Sequence, residues 1–199
     1  FREVCRVPAV TGIGANMVEL NRGNIAMWWS FFNHIEIYHI QPRQTGKSVG
    51  ADLLSQGLMG FWCNNTEMNL FTKDDELRRK NITRLKDCYL ELPPYLQLKT
   101  KKDPNNQEAI HISALNNTYK TSVARSSVKD ADKVGRGLTS GFLQNDEAPY
   151  CSNVETSMGA ALGSMGAVIT EAKKRGTPYG VITTTTAGKM DDRDGAYVY

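Results

Sequence analysis

Ile35-Glu36-Ile37-Tyr38-His39-Ile40, then Gln41-Pro42-Arg43-Gln44-Thr45-Gly46-Lys47-Ser48, is the stretch that decides the fold. The first six residues, rich in isoleucine and aromatics, read as a β-strand. From Lys47 to Gly60 the apolar residues Val49, Leu53, Leu54 and Leu58 fall near one face of a helix. Between them Gly46-Lys47-Ser48 closes a phosphate-binding P-loop. A strand, a tight loop and a helix N-terminus aim backbone N–H groups and the helix dipole at one spot, which is an anion site. Gly46 lets the backbone approach a phosphate, Lys47 adds a mobile positive charge and Ser48 offers a hydroxyl to Mg²⁺. Gln41 stands where the usual motif has its first glycine, so the loop is a variant. The alternative is a plain strand–turn–helix.

Outward from the loop, 199 residues suffice for one α/β domain with a full core, or for part of a larger one. Hydrophobic and charged fractions of 40% and 23% are those of a globular protein and exclude disordered and collagen-like classes. A net charge of +3 permits a nucleic-acid partner without requiring one. The basic clusters Arg78-Arg79-Lys80, Lys99 to Lys102 and Lys173-Lys174-Arg175 read as solvated faces or helix ends. Four scattered cysteines and three histidines give no metal-ligand spacing, and the cysteines suit reduced thiols in a cytosol-like compartment. Asn64, Asn81 and Asn116 open chance glycosylation sequons, and no apolar run approaches the ~20 residues of a membrane span. Beginning at Phe1 and stopping at Tyr199, the chain is expected to be a fragment.

Along the chain, Val18 to Phe32 is expected to be helical, within an N-terminal segment (1–34) leading into a core (35–199). Thr72-Lys73-Asp74-Asp75 resembles a capping box opening a helix with Ile82, Leu85 and Tyr89 on one face, halted by Pro93-Pro94. Lys99–Gln107 reads as a surface loop, Ile110 to Leu115 as a short strand, and Leu138 to Asn145 as a weak strand diluted by polar residues. Met158, Ala161, Leu162, Met165, Val168, Ile169 and Ala172 then step by three and four, a helical stripe ending in Lys173-Lys174-Arg175 and a Gly176 C-cap. Glycines 159, 163 and 166 are expected to let that helix lie close on a sheet. Tyr179 to Thr186 reads as the next strand, making a parallel crossover with the weak strand.

Asp146-Glu147 follows the weak strand. An acid at the carboxyl end of a strand neighbouring the P-loop strand can hold Mg²⁺, and the next acid can polarise an attacking water. A helix N-terminal acid pair is the structural alternative. Thr183-Thr184-Thr185-Thr186 fills a strand end, by β-propensity or because hydroxyls there sense a γ-phosphate. Arg43 in the loop and Arg136 in Gly135-Arg136-Gly137 are the arginines that could stabilise transferring phosphoryl charge, although Arg136 also suits an ordinary turn. Asp191, Asp192 and Asp194 read as a loop.

On Arg-Gln-Thr-Gly-Lys-Ser at 43–48, the segment from Thr72 to Leu96, Gly135-Arg136-Gly137 and Thr184-Thr185-Thr186 with Gly188, the chain resembles the ATPase domain of the large terminase subunit of tailed bacteriophages. The resemblance spans most of residues 25–199. It implies an ASCE-type P-loop NTPase, a three-layer α/β sandwich with a mainly parallel sheet, here cut off before the family's final ATPase strands. It further implies an ATP-hydrolysing motor that moves double-stranded viral DNA into a procapsid. Gln44 to Ser48 would bind ATP, Ser48 and Asp146 would hold Mg²⁺, and Glu147 would be the catalytic carboxylate. Thr184 to Thr186 would couple hydrolysis to movement, with Arg136 as a candidate finger reaching a neighbouring subunit. The implied partners are DNA, a small terminase subunit, a portal protein and like subunits in a ring, in the cytoplasm of an infected bacterial host and without a membrane. The family's adenine-contacting glutamine has no clear counterpart around Asn21 to Trp28, and nothing here corresponds to its nuclease half. A P-loop helicase, suggested by Asp146-Glu147-Ala148-Pro149, and a non-catalytic nucleotide-binding scaffold are the alternatives.

Overall fold

A computed structural model describes residues 3–9, 14–100, 103, 106, 108–188 and 190–198. Lys101 and Lys102 of the second basic cluster lie outside them. In chain order the elements are β1 (Arg6–Pro8), β2 (Ala15–Met17), α1 (Arg22–Phe32), β3 (Ile37–Ile40), α2 (Lys47–Gly57), β4 (Glu67–Thr72) and α3 (Asp75–Leu90). There follow β5 (Ala109–Ile112), β6 (Asn117–Val123), α4 (Val128–Gly137), β7 (Phe142–Asp146), α5 (Val154–Arg175), β8 (Gly180–Thr185) and α6 (Arg193–Val198). A π-helical turn, Leu58–Trp62, extends α2.

Six strands form the central sheet in the order β3-β8-β7-β4-β6-β5, parallel except for the antiparallel β5–β6 pair. Successive side chains on a strand face opposite sides, and the burial follows that period. Leu70, Phe142 and Ile182 join a core with Met27 and Phe31 of α1, Leu53 and Leu54 of α2, and Ile82 and Leu85 of α3. Their neighbours Phe71, Leu143 and Val181 join a second core with Val154, Met158, Ala161 and Met165 of α5. Helices therefore cover both faces, and the chain is a three-layer α/β sandwich with a mainly parallel sheet. The β1–β2 pair forms a separate antiparallel ribbon, and Cys5 and Val18 beside it belong to the first core.

Several sequence expectations are corrected. Helix α1 starts at Arg22 rather than near Val18, because the Asn21 side chain accepts from Asn24 N and caps it. The cap of α3 is Asp74, which accepts from Leu77 N at 2.8 Å, and Thr72 is instead the last residue of β4. The strand expected to reach Leu115 ends at Ile112, where a turn takes over. Leu138 caps α4, so the weak strand begins only at Phe142. Glycines 159, 163 and 166 are exposed, and a Cβ on any of them would meet nothing within 4 Å. The close approach lies at Gly135 of α4 instead, where a Cβ would stand 2.3 Å from the Ser157 carbonyl of α5. The acidic run after Gly188 is no simple loop: Asp194 sits in α6 and accepts from the N–H groups of Asn153 and Val154 at 3.1 and 3.0 Å, tying down the start of α5.

Candidate functional site

The loop after β3 is held from three sides. Gln41 N donates to Thr185 O of β8 at 3.1 Å. Thr45 Oγ1 closes the loop on itself, donating to Pro42 O at 2.9 Å and lying 3.0 Å from Gln41 Oε1. From α1, Asn21 Nδ2 donates to Thr45 O at 2.6 Å and Trp28 Nε1 to Gly50 O at 2.9 Å. Gln44 (φ 63°) and Gly46 (φ 78°) are left-handed, a conformation that turns successive N–H groups into an anion-binding concavity. Gly46 is the N-cap of α2 and supplies no side chain, so the first-turn amides stay available to an anion. Lys47 lies buried at this helix start, while Arg43 is exposed on the loop.

Asp146 closes the site from β7. That strand is not the immediate neighbour of β3, as the sequence reading had it; β8 lies between them and pairs with both. The register sets Asp146 opposite Thr184, and Thr184 Oγ1 donates to Asp146 Oδ1 at 2.7 Å. Ser48 Oγ lies 3.4 Å from the same oxygen. Asp146 Oδ2 accepts from Asn81 Nδ2 of α3 at 2.8 Å. Glu147, one residue on, has left strand geometry (φ 61°, ψ 44°). Its Oε2 receives Thr186 Oγ1 at 3.2 Å and Thr186 N at 3.5 Å, and lies 3.2 Å from Thr185 Oγ1, which also meets Thr186 O at 2.8 Å.

Gly46, Lys47, Ser48, Asp146, Glu147 and the threonines 184–186 are thus gathered at the carboxyl ends of β3, β8 and β7, where open α/β sheets bind ligands. Arg136 is not among them. It sits in the last turn of α4, which feeds the amino end of β7, and pairs with Asp132 at 2.9 Å with its side chain mostly in solvent.

The donor set fits a magnesium–nucleotide rather than a metal caged by protein. Ser48 Oγ and Asp146 Oδ1 are hard oxygens side by side at a helix N-terminus, and Mg²⁺ takes one or two such ligands while keeping waters and phosphates. No group of three or more His, Cys, Asp or Glu residues that could hold a metal exists among the described residues. Beside the loop a cavity of about 270 Å³ is lined by Val18, Asn21, Asn24, Thr45, Gly46 and Val49. Asn24 Oδ1 is buried against Gly50 of α2 and has no hydrogen-bond partner among the described residues.

Behind Asp146 runs a buried polar chain that the sequence reading missed. Arg84 of α3 donates from Nη2 to Asn81 Oδ1 at 2.8 Å and from Nε to Asp52 Oδ2 of α2 at 2.5 Å. Gln144 Nε2 donates to Asp52 Oδ1 at 3.0 Å, and Gln144 Oε1 accepts from Ser55 Oγ and Tyr119 OH at 2.7 and 3.1 Å. Burial pushes the Asp52 carboxyl up from its ordinary pKa, against the pull of Arg84 and Gln144. The signal in sequence was the polar pair Asn81 and Arg84 three residues apart beside the apolar Ile82 and Leu85.

No family model and no curated protein matches this sequence. Solved structures do. The large terminase of bacteriophage HK97 superimposes with a TM-score of 0.68 at 15% identity, over 98% of this chain and 38% of its own length. The large terminase ATPase domain of Thermus phage P74-26 gives 0.58 at 12% identity, over 86% of this chain and 67% of that domain. The UvsW helicase of bacteriophage T4 also gives 0.58 at 12% identity, over 97% of this chain and 60% of the helicase. The chain therefore has a terminase-like P-loop ATPase fold, and it spans well under half of the HK97 protein it matches.

Proposed function

We propose that this chain is the ATP-hydrolysing motor domain of a phage terminase large subunit, driving double-stranded DNA into a procapsid. The observation that carries the reading is the convergence of Ser48 and Asp146 to 3.4 Å across β8, with Glu147 the next residue. Gln44 to Lys47 cradle the phosphates: the loop amides and the α2 dipole meet negative charge, and Lys47 reaches the β- and γ-phosphates. Ser48 and Asp146 hold Mg²⁺, which when bound neutralises phosphate charge. Glu147 accepts the proton of the attacking water, and its bonds to Thr185 and Thr186 tie the state of that carboxylate to the end of β8. This is the physical content of coupling hydrolysis to movement. Arg43 stands on the loop to clamp charge in the same subunit. Arg136, exposed at the other end of β7, can serve only a neighbouring subunit of a ring.

The fold likeness to two phage terminases supports the packaging assignment, with DNA, a small terminase subunit and a portal as partners in the host cytoplasm. A second reading, a helicase motor, is favoured by the likeness to UvsW, which equals that of the P74-26 domain and falls below that of the HK97 terminase. ATP-driven filling of procapsids without separation of a forked duplex selects the first; strand separation selects the second. For the site itself, Glu147→Gln is expected to leave ATP affinity within about threefold of the parent while slowing hydrolysis by ~10²–10⁴-fold, because only the proton acceptor is lost. Nucleotide binding by fluorescence and phosphate release check this. Parent-like turnover in that variant removes the assignment.

A further inference from the structure

Asn81 occupies a position where the helix pattern calls for an aliphatic residue. It is 1% exposed, beside Ile82 and near Leu85, both in the apolar core. A buried carboxamide is costly unless both ends are bonded. Here both are, and the bonds define its orientation. The Arg84 guanidinium can only donate, so the atom facing its Nη2 must be the Asn81 carbonyl oxygen, and the amide NH₂ must face Asp146 Oδ2. Arg84 is held in turn by Asp52, and Asp52 by Gln144. The line of bonds thus begins at Asp146 and is anchored in α3, α2 and β7.

We propose that Asn81 is a positioning residue for the metal-facing carboxylate, with Arg84 fixing its amide. The inference rests on the nucleotide–magnesium reading above and deepens it. Asp146 has two oxygens with different duties. Asn81 occupies Oδ2, so the carboxylate cannot swing about its last torsion, and Oδ1 stays turned toward Ser48 and Thr184. A carboxylate held this way presents one oxygen in a fixed direction, which an octahedral ion with strict geometry requires. Asn81 itself touches neither metal nor nucleotide. Its effect is therefore confined to how much metal is needed, not to phosphate binding by the loop.

The test measures binding of a fluorescent ATP analogue to the parent chain, Asn81→Leu and Asn81→Ser, first in EDTA and then through a Mg²⁺ titration. Asn81→Leu is expected to raise the Mg²⁺ concentration for half-maximal effect by about 10-fold or more, the usual scale for an outer partner of a ligand. Its affinity without metal should stay within about twofold of the parent, because the loop amides and Lys47 are untouched. Asn81→Ser leaves room for a water to bridge to Asp146, so it should recover part of the loss. An unchanged Mg²⁺ midpoint in a folded variant overturns the inference, as does equal weakening with and without metal. If the leucine variant does not fold, the serine variant decides alone by the same two readings. Should the parent chain show no response to Mg²⁺, the nucleotide reading fails and carries this inference with it.

Discussion

Asp146 and Glu147 are adjacent in the chain and stand in opposite mechanical situations. Asp146 ends β7 in register with Thr184, is 1% exposed, and receives bonds from three elements: α2, α3 and β8. Glu147 lies past the strand in a left-handed backbone conformation, half-buried, and among the described residues its carboxylate meets Thr185 and Thr186 at the end of β8. Glu147 N still donates to Thr184 O at 2.8 Å before the left-handed turn ends the strand, and its carboxylate lies beside Thr185 and Thr186. One carboxylate is fixed by bonds from three elements. The other is held by a single strand end, so a shift of that strand moves it.

The sharpest way to break this contrast is to remove what stands behind Asp146. Arg84→Met leaves Asp52 buried and unpaired and frees the Asn81 carbonyl. A loss of about 3–5 kcal/mol is expected in a denaturant melt, the scale of stripping one partner from a buried ion pair. Among the described residues no such chain stands behind Glu147. A loss below about 1 kcal/mol would mean that the polar chain does not bear on the fold, and Asp146 would be no more fixed than its neighbour.

Thr184→Val probes the strand both acids lean on. It deletes one donor to Asp146 Oδ1 while keeping shape, and should cost ~1–3 kcal/mol because the carboxylate is buried. Thr186→Val removes a donor to the half-buried Glu147, which water can replace. It should cost less than about 1 kcal/mol. Equal costs at the two threonines would erase the difference between the acids.

The same contrast explains what was legible in the sequence. The loop, the helix after it, most of the stripe of α5 and its Gly176 cap rest on local codes, and the structure holds them where the residues indicated, although Leu162 of the stripe is exposed. Lys47, Ser48, Asp146, Glu147 and the threonine run were visible because each residue type sits at a strand end or turn. The polar end of β7 looked like a reason to doubt that strand. Gln144 is polar because its partners Asp52, Ser55 and Tyr119 come from α2 and β6, a fact no local window contains. The strands β4 and β6 and the helix α4 went unread for related reasons. Strand β6 carries Asn117, Thr118, Lys120, Thr121 and Ser122, and the buried residues of α4 are only Ala131 and Gly135. Asn81 looked like a chance glycosylation site until the packing of α3 was known.

The smallest expected effect isolates the backbone of Glu147 from its side chain. At φ 61° a residue with a Cβ pays a steric cost of ~1–2 kcal/mol, which glycine avoids. Glu147→Ala keeps that cost and loses the threonine bonds, so it should be no more stable than the parent. Glu147→Gly loses the same bonds but relaxes the turn, with part of the gain offset by the freer unfolded chain. It should therefore exceed the alanine variant by about 1 kcal/mol in a thermal or denaturant melt, and match or slightly exceed the parent. Neither should hydrolyse ATP, so any extra stability of the glycine form measures what the protein gives up to aim this carboxylate. If alanine and glycine are equally stable, the turn is not strained, and Glu147 is held by its threonine contacts alone.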